Sequence, residues 1–157
     1  MATANSASSS APWHAAYPAP RNSQPEGIRR EDVLEMMKLG EKKAGMNYVL
    51  VDLRRNDHEG GTIRGSINLP AQSLYPTMPT LYAMFKAAGL SKIMWYCSSS
   101  KGRGTRAAGW FADYIEDQKD EQMQSLVLVE GIKGWAKAGG EYAQWMDEYD
   151  DEFWAKA

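Results

Sequence analysis

The chain has 157 residues, a formal net charge of −2 and 43% hydrophobic residues, which suits one globular domain with a core of its own. That charge argues against wholesale binding of nucleic acid or acidic membrane, and no apolar run is long enough to span a bilayer. One cysteine, Cys97, excludes an internal disulfide scaffold, and two distant histidines, His14 and His58, give no metal-ligand spacing, so no metal is assigned and a reducing compartment, cytoplasm and also nucleus, is expected.

Residues 1–27 are rich in Ala, Ser and Pro. They lack the charged start and apolar block of a secretory signal. They are acid-poor like a transit peptide, but prolines interrupt any amphipathic helix. This stretch reads as an arm, partly disordered and flexible to about Ser10, with Trp13 and Tyr17 placed to pin the segment around them onto a domain spanning 28–157. "RREDVLEMMKLGEKKAG" predicts a helix with Val33, Leu34 and Met37 inward and a glycine stop. "YVLVDL" is a continuous apolar run ending in an acid, the pattern of a buried parallel strand. "RRNDHEGGTIRGS" is loop chemistry, and "INLP" a short extended piece. "TLYAMFKAAGL" is helical, "KIMWYC" a second buried strand, "GTRAAGWFADYIED" a helix and "SLVLVE" a third strand. "GIKGWAKAG" is a short helix. "EYAQWMDEYDDEFW" predicts a C-terminal helical extension with Tyr142, Trp145, Met146 and Tyr149 on one face. Strands alternating with helices imply an α/β fold, a parallel central sheet covered on both faces. Its functional loops should leave the C-terminal ends of the strands.

The loop "CSSSKGRGTR" is such a loop. A strand, small residues and a helix N-terminus make an anion cradle in which backbone N–H groups converge. Ser98, Ser99, Ser100 and Gly102 let the backbone curl around an oxyanion. Lys101 and Arg106 add positive field, and Arg103 can grip two oxygens at once. Cations and a helix N-terminus favour the thiolate of a cysteine held between them, which makes Cys97 a candidate nucleophile. A Walker-type phosphate loop is excluded, because "SKGRGT" lacks its glycine spacing and its Lys-Ser/Thr end.

The segment "YVLVDLRRNDHEGGTIRGSINLP" resembles the first signature of rhodanese-like domains, and "LVLVEGIKGWAKAG" the closing one. Rhodanese-type sulfurtransferases have a shorter loop between cysteine and arginine. The cell-division-cycle dual-specificity phosphatases and fungal arsenate reductases on this fold have five intervening residues followed by glycine, as do Cys97, Arg103 and Gly104. The resemblance therefore implies a rhodanese-like fold. It also implies a cysteine-dependent oxyanion enzyme, an arsenate reductase or a protein or aryl phosphatase, with a thiol–arsenate or thiol–phosphate intermediate on Cys97. Arsenate reduction would need an external reductant, glutathione or glutaredoxin, because the chain has no second cysteine. The alternatives are a thiosulfate sulfurtransferase carrying a persulfide and a non-catalytic binding module. The expected ligand is phosphate, arsenate or a phosphorylated substrate.

The sequence departs from the family pattern at Tyr96, where a histidine usually precedes the cysteine, at Ser98 and Gly102, where the phosphatases carry glutamates, and at Thr62 and Ser66. These departures leave the leaving-group proton without an obvious source. Asp52 reads as structural, paired with Arg54, with general acid as its alternative. His58, Glu59 and Glu130 lie in loops that should rim the cradle and are candidate acids. Trp135 reads as core.

Overall fold

The computed structural model describes residues 11–157; the arm expected to be flexible up to Ser10 lies outside them. The main sheet has five strands, all parallel: β1 (Gly27–Ile28), β2 (Tyr48–Asp52), β4 (Ser66–Asn68), β5 (Lys92–Tyr96) and β6 (Gln124–Leu128), in the order β1-β6-β5-β2-β4. A second, two-stranded sheet pairs β3 (Thr62–Ile63) antiparallel with β7 (Met146–Asp147).

The side-chain period of a strand decides which residues meet which helix. On one face Val49, Val51, Ile93, Trp95, Cys97 and Val127 pack under α2 (Met78–Ala87) and α3 (Arg103–Asp117). On the other face Tyr48, Leu50, Met94, Tyr96, Leu126 and Leu128 pack under α1 (Arg30–Leu39) and α4 (Gly131–Ala138). Burial on both faces explains why these strands are continuous apolar runs. In α1, Val33, Leu34 and Met37 are buried, and Gly40 ends the helix with φ +73°, a conformation glycine adopts without steric penalty. Trp135 lies in the core and donates its indole N–H to the Tyr142 carbonyl at 2.8 Å.

The C-terminus corrects the expected single helix. It breaks into α5 (Gly140–Gln144), strand β7 and α6 (Asp151–Lys156). Trp145, Met146 and Tyr149 still face the core. Met146 does so from a strand paired to Ile63, and Glu148 turns the chain at φ +59°. Asp150 restarts the helix by accepting hydrogen bonds from the Glu152 and Phe153 N–H groups. A helical period describes the spacing of these aromatics as well as it describes a broken chain, so periodicity alone could not separate the two.

The N-terminal segment is docked. Trp13 and Tyr17 pack against the core, and the Trp110 indole donates to the Pro18 carbonyl at 2.8 Å. Asp113 accepts from the backbone N–H groups of Arg21 and Asn22 at 2.8 and 2.9 Å. Gly109 makes the close approach feasible. A Cβ there would stand 2.3 Å from the Asn22 carbonyl oxygen, well inside van der Waals contact.

Candidate active site

Cys97 is the first residue beyond β5, 3% exposed, on the α3 face of the sheet. The loop from Ser98 to Gly102 returns the chain to the N-terminus of α3, and the Gly104 N–H donates to Cys97 Sγ at 3.4 Å. Ser100 shapes the loop. Its backbone is left-handed at φ +65°, its side chain is buried, and its hydroxyl accepts from the Cys97 N–H at 3.4 Å while its carbonyl accepts from Thr105 Oγ1 at 2.6 Å. From below, the start of α4 clamps the loop. Ile132 N–H donates to the Cys97 carbonyl at 3.0 Å and Lys133 N–H to the Ser98 carbonyl at 2.9 Å. Gly131 permits this at φ +59°, because a Cβ there would lie 2.4 Å from both carbonyl oxygens.

Above Cys97 lies a cleft of about 460 Å³. Ser98, Ser99, Gly102, Arg103 and Arg106 line it from the loop and α3, Gln72 from the turn after β4, and Trp13 and His14 from the N-terminal segment. Of the residues expected to cradle an oxyanion, Ser98, Ser99, Gly102 and Arg103 thus reach the cleft. Ser100 turns into the loop's base, and Lys101 is exposed and is not among the lining residues.

Arg103 is already engaged. Its Nη1 donates to Asp57 Oδ1 at 2.9 Å and its Nη2 to Asp57 Oδ2 at 2.6 Å, and Ser98 Oγ donates to the same carboxylate at 3.3 Å. The hydrogen bond from Arg103 holds the Asp57 carboxyl well below the usual carboxylate range, against the opposing effect of burial. In turn Asp57 pushes the Arg103 guanidinium up; burial opposes this and the neighbouring Cys97 sulfur reinforces it. Nothing in the sequence marks Asp57, one of several charges in its loop. Its place in a loop leaving the C-terminal end of β2, beside the cysteine strand, is the signal that could have found it.

The other candidate acids are placed elsewhere. Asp52 is fully buried and accepts from Arg54 Nε at 3.0 Å and Nη2 at 2.8 Å. Arg54 also donates to the Asp57, Glu59 and Gly61 carbonyls at 3.3, 2.9 and 2.7 Å. This ion pair therefore staples the loop that presents Asp57. His58 Nε2 stands 3.4 Å from Asp52 Oδ2. Glu59 is exposed and meets Arg54 through its carbonyl alone, and Glu130 pairs with Arg30; neither lines the cleft.

Tyr96, one residue before Cys97, points to the opposite face. Its hydroxyl lies 2.9 Å from Thr62 Oγ1 and 2.7 Å from Ser66 Oγ and accepts from the Ile63 N–H at 3.3 Å. Burial first, then the Asp52 charge, drives this phenol upward. Three of the departures from the family pattern, Tyr96, Thr62 and Ser66, thus form one hydrogen-bonded cluster beneath the sheet end.

Among the described residues no group of three His, Cys, Asp or Glu side chains could hold a metal ion, and no helix is long and apolar enough to cross a membrane. The family model described as "Rhodanese-like domain" matches residues 30–138. Arsenical-resistance protein 2 of Saccharomyces cerevisiae is 26% identical over 96 residues, 57% of this chain and 74% of that protein. Among solved structures, the As-Sb reductase from Leishmania major superposes with a TM-score of 0.67 at 20% identity, covering 78% of this chain and 85% of that one. Ygr203w, a yeast protein tyrosine phosphatase of the rhodanese family, superposes with a TM-score of 0.61 at 17% identity, covering 82% and 96%. At these identities the two structures establish a shared fold.

Proposed function

The chain belongs to the rhodanese-like domain family, and on that premise we propose that it is a cysteine-based oxyanion enzyme, an arsenate reductase working through Cys97. The observation that carries this reading is the sulfur itself. It lies at the floor of a cleft, with the Gly104 N–H aimed at it from 3.4 Å and a guanidinium alongside. A thiolate so placed can attack a tetrahedral oxyanion while the guanidinium and loop N–H groups hold the remaining oxygens.

Arsenate would displace Asp57 from Arg103 and take up the same two-pronged contact. Cys97 sulfur then bonds to arsenic, and an As–O bond breaks with its oxygen leaving as water. Two external thiols complete the cycle. They are oxidised to one disulfide as arsenic(V) becomes arsenic(III) and the Cys97 thiol is regenerated. Glutathione or a glutaredoxin has the required chemistry, and the chain's single cysteine cannot supply it. The similarity to a protein named for arsenical resistance supports this substrate.

A second reading, phosphatase, is favoured by the size of the cleft, which at about 460 Å³ is far larger than one tetrahedral anion. It leaves room for an organic leaving group, and water would then open the phosphocysteine. The five-residue loop argues against sulfurtransfer.

The test is a side-by-side assay of arsenate reduction with glutathione and glutaredoxin, aryl phosphate hydrolysis, and thiosulfate sulfurtransfer, with Cys97→Ser as control. Thiol-dependent arsenite formation that Cys97→Ser abolishes supports the first reading. Sulfurtransfer alone, or no activity of any kind, overturns it.

A further inference from the structure

The cradle explains attack but not departure. The oxygen leaving arsenic or phosphorus needs a proton, and no carboxylate near the loop is both unpaired and in the cleft: Glu59 is exposed and does not line it. Asp57 is held as the anion by Arg103, and Glu130 is held by Arg30. Asp52 is bound by Arg54 below the sheet end, with His58 turned toward it.

One titratable side chain in the cleft is unaccounted for. His14 lines it together with Cys97, Arg103 and Arg106. It comes from a segment outside the family-matched residues 30–138. Its position is fixed by several independent contacts. Trp13 meets Trp110 edge-on with centroids 6.0 Å apart, and His14 meets Trp13 edge-on at 5.2 Å. Tyr17 stacks against Tyr75 at 5.1 Å, and Trp110 holds the Pro18 carbonyl.

Building on the oxyanion-enzyme reading, we propose that the docked N-terminal segment forms the leaving-group side of the active site, with His14 as the proton donor to the departing oxygen. In the first half-reaction the Cys97 S–As or S–P bond forms, the bond to the leaving oxygen breaks, and that oxygen takes the proton of the His14 imidazolium. In the second half the neutral imidazole accepts a proton from the attacking water as its oxygen bonds to phosphorus and the S–P bond breaks, or from the first external thiol as its sulfur bonds to Cys97 Sγ and the S–As bond breaks with its electron pair left on arsenic(III); in the latter case a second external thiol then reduces the mixed disulfide and frees Cys97. Histidine suits this two-way transfer near neutral pH.

The test pairs a binding readout with a kinetic one. Vanadate is added to the full chain while the His14 imidazole resonances are followed by NMR, with His58→Gln used to assign the two histidines. Protection of Cys97 from iodoacetamide reports occupancy of the cradle. We expect protection together with a shift of the His14 resonances. We also expect His14→Gln, which keeps a polar side chain but cannot transfer a proton, to lose about 10²-fold or more in kcat/KM on alkyl phosphates, and less on nitrophenyl phosphate, whose leaving group departs unprotonated. Protection with unmoved His14 resonances, or an equal loss on both substrate types, overturns the role of His14 and leaves the cradle standing. No protection at all overturns the cradle reading and this proposal together.

Discussion

Both oxygens of the Asp57 carboxylate face the guanidinium of Arg103, at 2.9 and 2.6 Å. This is the contact that a substrate oxyanion would make, so the cradle carries its own internal anion. Asp57→Asn keeps the shape but removes the charge, and product phosphate or arsenate should then inhibit several-fold more tightly. Competition against aryl phosphate turnover measures this. Unchanged or weaker inhibition would show that the pair does not compete with ligand.

The same pair sets a pH dependence. Arg103 lowers the Asp57 carboxyl in the folded state. A depressed carboxylate contributes stability that is fully present above its unfolded value, about 3.9, and is lost as pH falls through the folded value. Asp57→Asn should therefore lower Tm near neutral pH and converge on the parent protein under strong acid. Melting curves from about pH 7 to pH 2 check this, and parallel curves would contradict it.

Arg103→Lys keeps the charge but loses the planar two-pronged grip. Turnover should fall on the order of 10²-fold or more, with the far-UV CD spectrum unchanged. Near-normal turnover would make Arg103 structural.

Removing one member of the buried Asp52–Arg54 pair strands the other charge. Arg54→Leu should cost about 3–5 kcal/mol. It should also free the loop carrying Asp57, because Arg54 holds that loop's carbonyls. Urea unfolding, with amide exchange across residues 55–61, measures both effects; a loss below about 1 kcal/mol would mean that water reaches the site.

Tyr96→Phe removes the hydroxyl that Thr62 and Ser66 share. It should destabilise by about 1–3 kcal/mol and leave kcat/KM nearly untouched, since Tyr96 faces away from Cys97. A large kinetic loss at unchanged stability would assign Tyr96 to the chemistry.

The buried strands, the helices beside them and the Cys97 loop were legible because each pattern is local: an apolar run, a helical period, a spacing to arginine. Strands β1, β3 and β7 were not. Two residues carry no periodicity, and each exists only because a distant partner pairs with it. The site divides in the same way. Cys97 and Arg103 share one loop, whereas Asp57 arrives from another strand end and His14 from a segment more than eighty residues away. Thr62, Ser66 and Tyr96 read as three separate oddities until the fold put them within one hydrogen-bonded cluster.

Strand β1 covers the open side of β6: the Val127 N–H donates to the Glu26 carbonyl at 2.9 Å and the Val129 N–H to the Ile28 carbonyl at 3.0 Å. Both residues of β1 precede the first family-matched residue, Arg30. A chain trimmed to that boundary would present β6 as a bare apolar edge, "SLVLV", with unpaired backbone groups and no proline or charge to repel a second copy. Such a trimmed protein should self-associate edge to edge and precipitate, even where the loop from Cys97 to Arg103 is intact.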